Sequence, residues 1–161
     1  MGEFSNAQVI NYRHRCGAGE PLTSALIDAG HSVWAIDASA RLVDAFKKRF
    51  PGISVACESV EESSFFQRRF DAALMVGLVF LFQEDRQVAL LKNLSSVLLP
   101  GGHLLFSAPR QTGSWKELLT KNTCWSLGAE TYHSLLEQSG FSIIATHEDE
   151  GGSHYYEAKR E

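Results

Sequence analysis

Short apolar segments alternate with amphipathic helical segments along most of this chain, and this alternation restricts the fold more than any other feature. Residues 70–76 are apolar throughout apart from Asp71. A strand of that composition has both faces covered, as in a parallel sheet with helices on each side. We therefore predict that residues 70–76 form the central strand of such a sheet.

Strand–helix units continue on both sides of this strand and imply right-handed crossover connections. A first strand is expected from residue 9, and further strands at residues 33–36, 53–56, 103–108, 141–147 and 154–158. Helices are expected to begin at Pro21 and after Ser39, and to span residues 84–98 and 130–139. The Pro-Gly-Gly sequence at residues 100–102 is expected to end the third helix before the next strand.

The predicted fold class is α/β, a doubly wound, Rossmann-like three-layer sandwich. Its sheet is expected to be mostly parallel and seven-stranded, with an antiparallel C-terminal edge hairpin. A chain of 161 residues is long enough to bury one core, so we expect residues 1–161 to form a single domain. Residues 109–128 show no clear period, and we expect an irregular segment there on the substrate side.

Charge and cysteine content argue against several classes of function. The formal net charge is −4 and the basic residues are scattered, so we expect no nucleic-acid partner. Three widely separated cysteines predict neither a disulfide framework nor a metal site, and they favour a cytoplasmic location. The longest apolar run, residues 72–82, is shorter than the roughly 20 residues that span a bilayer. We therefore expect no membrane partner.

Glycines and one acid suggest a ligand site at the ends of the first two strands. Gly17 and Gly19 would let the backbone approach a ligand closely, although glycines also simply make tight turns. Asp37 ends the second strand about 20 residues later, at the position where an acid binds the ribose hydroxyls of an adenosine cofactor. The alternative is that Asp37 is a helix-capping or loop carboxylate. A dinucleotide site needs a third glycine where this chain has Leu22. The pattern thus favours a nucleoside cofactor without a pyrophosphate.

Five motifs in order carry a more specific resemblance. They are Cys-Gly-Ala-Gly-Glu-Pro at 16–21, Ala-Ile-Asp-Ala-Ser at 35–39, Phe-Asp-Ala-Ala at 70–73, Leu-Pro-Gly-Gly-His-Leu at 99–104, and the terminal segment from 135 through 156. From residue 9 onward, the chain resembles the class I S-adenosylmethionine-dependent methyltransferases. The resemblance implies S-adenosylmethionine as cofactor and methyl transfer to a small-molecule nucleophile.

The resemblance also implies which residues bind the cofactor. They are Cys16, Gly17, Ala18, Gly19, Asp37, Ala38, Glu58, Ser59, Val60, Val76 and Gly77. The glycine turn would pass under the methionine part and Asp37 would hold the ribose diol. Ala38 and residues 58–60 would border the adenine, and residues 76–77 would face the methionine.

No catalytic residue is assigned by the resemblance. Relatives often carry Glu-His after the fourth strand, where this chain has Phe80 and Leu81. Proximity and orientation can drive an in-line methyl transfer without a base at that point. Four other side chains could contact a substrate, but a structural role is favoured for each: Arg110, Trp115, Tyr132 and His133.

Two arginines depart from the family pattern. An ungapped reading places Arg13 and Arg15 where the family has an acid and a further glycine. A like charge about 4 Å from the cofactor's ammonium group costs on the order of 4 kcal/mol, or roughly a thousandfold in affinity. Two milder interpretations stay open: Arg13 turns toward the cofactor carboxylate, or it points into solvent with a shifted strand register.

The N-terminal segment is short, with about eight residues before residue 9. Family members usually have a helical segment there that closes over the site, so we expect the pocket to be open on one side. A truncated N-terminus and a homodimer that covers the open N-terminal face are the resulting hypotheses. The alternative function is a catalytically inactive methyltransferase-like binding or interaction module, and a nicotinamide dehydrogenase ranks third.

Overall fold

The computed structural model describes residues 6–11 and 21–161. The strands are β1 (Asn6–Asn11), β2 (Ser32–Asp37), β3 (Ser54–Cys57), β4 (Phe70–Val76), β5 (Leu98–Ser107), β6 (Gly113–Lys116), β7 (Thr123–Ser126), β8 (Phe141–Glu148) and β9 (His154–Arg160). The helices are α1 (Leu22–Asp28), α2 (Ala40–Arg49), α3 (Glu84–Val97) and α4 (Ala129–Gln138). The α/β class predicted from the sequence is confirmed.

The main sheet has the strand order β3-β2-β1-β4-β5-β9-β8. Strands β3, β2, β1, β4 and β5 pair in parallel, whereas β9 runs antiparallel to both β5 and β8, so the sheet is mixed. The chain moves outward from β1 through β2 and β3, then returns to place β4 on the other side of β1. That reversal is the switch point at which ligands bind in open α/β sheets.

Helix α2 forms where the sequence predicts it, after Ser39. The Ser39 hydroxyl accepts a hydrogen bond from the Leu42 amide at 3.4 Å, which satisfies one of the unpaired donors of the first turn. Lys47, Lys48 and Arg49 occupy the last turn, where positive charge interacts favourably with the helix dipole. The side-chain cap explains why the start of this helix could be read from the sequence.

The core beneath α3 and α4 is organised around Tyr132, which the sequence placed on the apolar face of its helix. Tyr132 is fully buried, and its ring centre lies 5.5 Å from that of Phe106 and 5.2 Å from that of Tyr156. Burial raises the pKa of Tyr132, so its phenol stays protonated. The hydroxyl donates to Gln87 Oε1 at 2.7 Å and accepts from the Leu127 amide at 3.2 Å. The predicted structural role of this tyrosine is confirmed.

The expected boundary at residues 100–102 is wrong. Helix α3 already ends at Val97, and Pro100, Gly101 and Gly102 lie inside β5. The β4–β5 register shifts between Phe70 and Ala72. A Cβ on Gly102 would lie 2.8 Å from the Leu99 carbonyl oxygen and 3.0 Å from that of Asp71. The glycine therefore permits a close backbone approach within a strand and does not end a helix.

The expectation of an irregular segment at residues 109–128 is also wrong. This segment contains the antiparallel pair β6–β7, in which Lys116 lies opposite Thr123. Every residue of β6 is exposed, so β6 has no buried face and produces no apolar period.

In the described part of the chain, no helix is long and apolar enough to cross a membrane.

Gly102→Ala is expected to lower the free energy of unfolding by about 1–3 kcal/mol, because the added methyl group would force two backbone segments apart. Urea unfolding followed by circular dichroism measures the change. Gly52→Ala is the matched control, because a Cβ there meets no atom within 4 Å. Equal unfolding midpoints for the two variants would contradict the close approach at Gly102.

Candidate functional site

A cleft of about 640 Å³ opens at the carboxyl ends of β2 and β3, beside the loop that follows β4. One wall consists of residues 36–38 and 58–61, at the ends of β2 and β3. The opposite wall comes from the loop after β4, the start of α3 and the β6–β7 hairpin. Its members are Leu78, Leu81, Phe82, Gln83, Arg86, Lys116, Lys121, Asn122, Thr123 and Trp125.

Five of the residues predicted to bind a cofactor lie together on the first wall: Asp37, Ala38, Glu58, Ser59 and Val60. Val76 ends β4 and Gly77 follows it, just before Leu78, which lines the cleft, but Val76 and Gly77 do not line it themselves. Cys16, Gly17, Ala18 and Gly19 lie outside the described residues, as do Arg13 and Arg15. The cofactor contacts of all these residues stay predictions.

Backbone hydrogen bonds hold Asp37 at the edge of the cleft. Its Oδ1 accepts from the Ser39 amide at 2.7 Å, and its carbonyl oxygen accepts from the Glu58 amide at 3.1 Å. The first bond orients the carboxylate at the start of α2, and the second joins the ends of β2 and β3. The cap of α2 is Ser39 and not Asp37, whose carboxylate accepts a bond within the loop before the helix and lines the cleft.

The loop after β3 is ordered by its own side chains. Ser63 donates its hydroxyl to Glu58 Oε1, and the Ser59 hydroxyl accepts from the Glu61 amide at 3.3 Å. Val60 points inward and is 4% exposed, so it joins the hydrophobic core while bordering the cleft. These contacts place two polar residues and one apolar residue along a single wall.

An ion pair joins this loop to the opposite wall. Arg86 donates from Nε to Glu61 Oε1 at 2.7 Å and from its Nη2 to Oε2, and its guanidinium lies 5.1 Å from the ring centre of Phe82. The hydrogen bond to Glu61 raises the pKa of Arg86. Because the pair is largely exposed, its contribution to stability is small. The pair connects the loop after β3 with α3 across the cleft.

Gly77 turns the chain from β4 into this second wall. Its φ of +70° is one that glycine adopts without strain, and its amide donates to the Ser107 hydroxyl at 2.8 Å. The chain then forms a short 3-10 turn at Val79–Leu81. The apolar run in the sequence continues to residue 82, but the strand ends at Val76. Gly77 marks this end in the sequence.

The four side chains that the sequence suggested as possible substrate contacts do not line the cleft. Tyr132 is buried in the core, and His133 packs edge-on against Tyr156 at 5.8 Å. Trp115 lies on β6 with its ring centre 5.7 Å from that of Phe80, and Arg110 is exposed. The structural interpretation favoured for these side chains is consistent with this placement.

Several cleft residues were missed by sequence reasoning. Lys116, Lys121, Asn122, Thr123 and Trp125 belong to the β6–β7 hairpin, whose polar sequence has no helical or strand period. Only pairing across the hairpin and packing against the loop after β4 bring these residues to the cleft.

Among the described residues, no group of three or more His, Cys, Asp or Glu side chains is arranged to hold a metal ion.

The parallel strands, the reversal at β1 and the carboxylate at the end of β2 define a Rossmann-like α/β domain with a ligand cleft at its switch point. A model of the methyltransferase domain matches residues 15–102, more than half of the chain. The chain belongs to this methyltransferase family. An uncharacterized methyltransferase of Synechocystis sp. strain PCC 6803 is 24% identical over 147 residues, covering 86% of this chain and 69% of the relative.

Solved methyltransferases share the fold over nearly the whole chain. An S-adenosylmethionine-dependent methyltransferase from Clostridium acetobutylicum superposes with a TM-score of 0.78 at 14% identity, covering 98% of this chain and 85% of that one. An amino pentose methyltransferase from Micromonospora echinaspora, solved with S-adenosylmethionine, has a TM-score of 0.76 at 12% identity, covering 99% and 84%. At such identities the likeness establishes the fold alone.

Ser107→Ala is expected to lower the free energy of unfolding by about 1–3 kcal/mol, because the Gly77 amide loses its acceptor at a site where Ser107 is only 5% exposed. Urea unfolding measures the loss. Ser142→Ala on β8 is the control, since Ser142 is exposed and its replacement should change stability by less than about 0.5 kcal/mol. If S107A and S142A unfold at the same urea concentration, the Ser107 contact does not hold the turn.

Proposed function

We propose that this protein is an S-adenosylmethionine-dependent methyltransferase that methylates a small-molecule nucleophile. The observation that carries the proposal is the convergence of Asp37, Ala38 and residues 58–60 on one wall of a cleft at the strand ends. These residues come from the segments that follow two different strands, β2 and β3, so their convergence is a property of the fold. A cleft of about 640 Å³ lies within the range of small-molecule sites.

The residues of the first wall fit the adenosine part of the cofactor. Asp37 is held by the Ser39 amide in an orientation that leaves its carboxylate on the cleft wall, where it can accept hydrogen bonds from ribose hydroxyls. Ala38 and Val60 offer apolar surface for the adenine, and Glu58 and Ser59 offer polar groups at its edge. When bound, S-adenosylmethionine supplies an electrophilic methyl group on a sulfonium.

The second wall is suited to hold the methyl acceptor. Leu81, Phe82 and Trp125 provide apolar surface, while Lys116 and Asn122 provide donors at the rim. The role of these groups is to bind and orient the acceptor and to exclude water, because an in-line displacement depends mainly on alignment. No side chain is assigned as a general base, so the catalytic residues stay open.

A binding or interaction module without catalysis is the second candidate. Arg13 and Arg15 favour it, because they occupy positions where the family pattern has an acid and a glycine. The two candidates differ in whether S-adenosylmethionine binds and whether its methyl group is transferred. The predicted cytoplasmic location, the single domain and the homodimer over the open N-terminal face stay predictions.

Isothermal titration calorimetry with S-adenosylmethionine and S-adenosylhomocysteine tests the proposed cofactor. We expect binding that Asp37→Asn weakens by about tenfold to a hundredfold, since a charged acceptor of hydrogen bonds is worth roughly 1.5–3 kcal/mol. Asp44→Asn is the matched control, because Asp44 is exposed on α2 and does not line the cleft. It should leave the affinity unchanged.

Three results of this titration have distinct meanings. Binding that D37N weakens and D44N leaves unchanged supports the cofactor site. Binding that neither variant affects places the ligand elsewhere. The absence of binding by either ligand at millimolar concentration contradicts the methyltransferase proposal and favours the non-catalytic module.

A further inference from the structure

The tip of the β6–β7 hairpin, residues 117–122, exposes two adjacent leucines. Leu118 is 83% exposed and Leu119 is 72% exposed, more than any other large hydrophobic residue in the described part of the chain. The next values are 47% for Ile144 and 38% for Leu99. Single exposed leucines are ordinary, but two at the end of a projecting hairpin indicate a contact.

Hydrogen bonds within the tip keep these leucines outside the core. The Glu117 amide donates to the Asn122 carbonyl at 2.9 Å, and the Lys121 amide donates to the Glu117 carbonyl at 2.9 Å. Thr120 donates both its amide and its hydroxyl to the Glu117 carboxylate. Lys121 adopts a φ of +59°, which closes the turn. Folding the leucines back would break this network, so their exposure is built into the hairpin.

The charges around the tip are mainly positive, although the chain as a whole is acidic. Residues 116–121 contain Lys116 and Lys121 against a single acid, Glu117, for a net charge of +1 in a chain of net charge −4. The carboxylate of Glu117 accepts bonds from Thr120 inside the turn. The two lysines flank the leucines on either side, so apolar and basic groups are presented together.

We propose that this tip inserts into the interface of an anionic lipid bilayer. Two leucines supply a small part of the roughly 800 Å² that each partner buries in a standard protein interface, and the other residues of the tip, Glu117 and residues 120–122, are polar. Insertion of a helix into the headgroup region needs only a depth of about 5–10 Å, which such a tip can reach. The Lys121 stem can lie along the apolar layer while its ammonium group meets lipid phosphates. The Lys116 ammonium donates to the Thr123 hydroxyl and has further N–H donors for a phosphate.

Trp115 strengthens the choice of a lipid surface. It precedes Lys116 on β6 and is 37% exposed, with its other face against Phe80. Tryptophan favours the boundary between headgroups and acyl chains, because its ring is apolar and its indole nitrogen is a donor. We expected no membrane partner because no apolar segment is long enough to span a bilayer. Insertion of a hairpin tip needs no such segment.

Docking would bring the cleft to the lipid surface, since Lys116, Lys121 and Thr123 also line the cleft. An acceptor partitioned into the bilayer would then enter the cleft directly. This consequence for the acceptor rests on the proposed function, but the docking does not. Vesicle binding needs neither cofactor nor turnover, so its failure can be separated from a failure of the methyltransferase proposal.

Co-sedimentation of the full chain with vesicles tests the proposal. One set of vesicles contains phosphatidylcholine with an equal amount of phosphatidylglycerol, and the other contains phosphatidylcholine alone. We expect stronger binding to the anionic set, and a loss of about a hundredfold in the partition coefficient for Leu118→Ser/Leu119→Ser. Ile144→Ser removes an exposed apolar residue from β8 and should bind as the unsubstituted protein does.

The charge contribution is tested with Lys116→Gln/Lys121→Gln. Binding to anionic vesicles should fall about fivefold for each lysine, while binding to neutral vesicles should stay unchanged. Thermal unfolding of each variant should match that of the unsubstituted protein, because all four side chains are exposed. Quenching of Trp115 fluorescence by brominated lipid, absent in Trp115→Phe, reports the depth of the tip.

Three results would overturn the proposal. They are no sedimentation with either vesicle set, sedimentation that the leucine substitutions leave unchanged, and self-association in sedimentation velocity that the leucine substitutions abolish without an effect on vesicles. The last result would assign the tip to a second copy of this chain.

Discussion

The side chain of Gln87 joins the elements that form one wall of the cleft. It is fully buried on α3, its Nε2 donates to the carbonyl oxygens of Phe82 and Trp125, and its Oε1 accepts from Tyr132. Leaving one of these groups unpaired in the interior costs roughly 1–3 kcal/mol. The bonds therefore favour one arrangement of α3, α4, the loop after β4 and β7. The position of the hairpin over the cleft depends on this arrangement.

The two walls of the cleft have different origins. The wall that contains Asp37 and Glu58 follows from the general geometry of parallel strands, whose carboxyl ends meet at one edge of a sheet. The wall that contains Lys116 and Trp125 comes from the segment between β5 and α4, which forms the β6–β7 hairpin. A shared cofactor would require the first wall to vary little, whereas the second can differ with the acceptor. The same segment carries the exposed leucines, so the proposed acceptor wall and the proposed lipid contact lie within one hairpin.

Prediction from the sequence succeeded where local chemistry and burial agree. Ser39 caps α2, and Tyr132 is buried on α4, because each residue's local preference matches its tertiary position. It failed at Gly102, where a glycine serves a close approach between β4 and β5 that no local pattern distinguishes from a turn. It failed again at β6, since a fully exposed strand has no buried face to produce an alternation.

By itself, the sequence determined the α/β class and the capped start of α2, because apolar periodicity and capping act over a few neighbouring residues. Its resemblance to the methyltransferases named the residues around Asp37. The sequence did not determine that Asp37 and Glu58 would share a wall with Ala38, which depends on the pairing of β2 with β3. The sequence also did not show that Lys116 lines the cleft or that Leu118 and Leu119 are exposed. Those positions depend on contacts between residues far apart in the chain, such as Gln87 with Trp125, and only the tertiary structure brings such residues together.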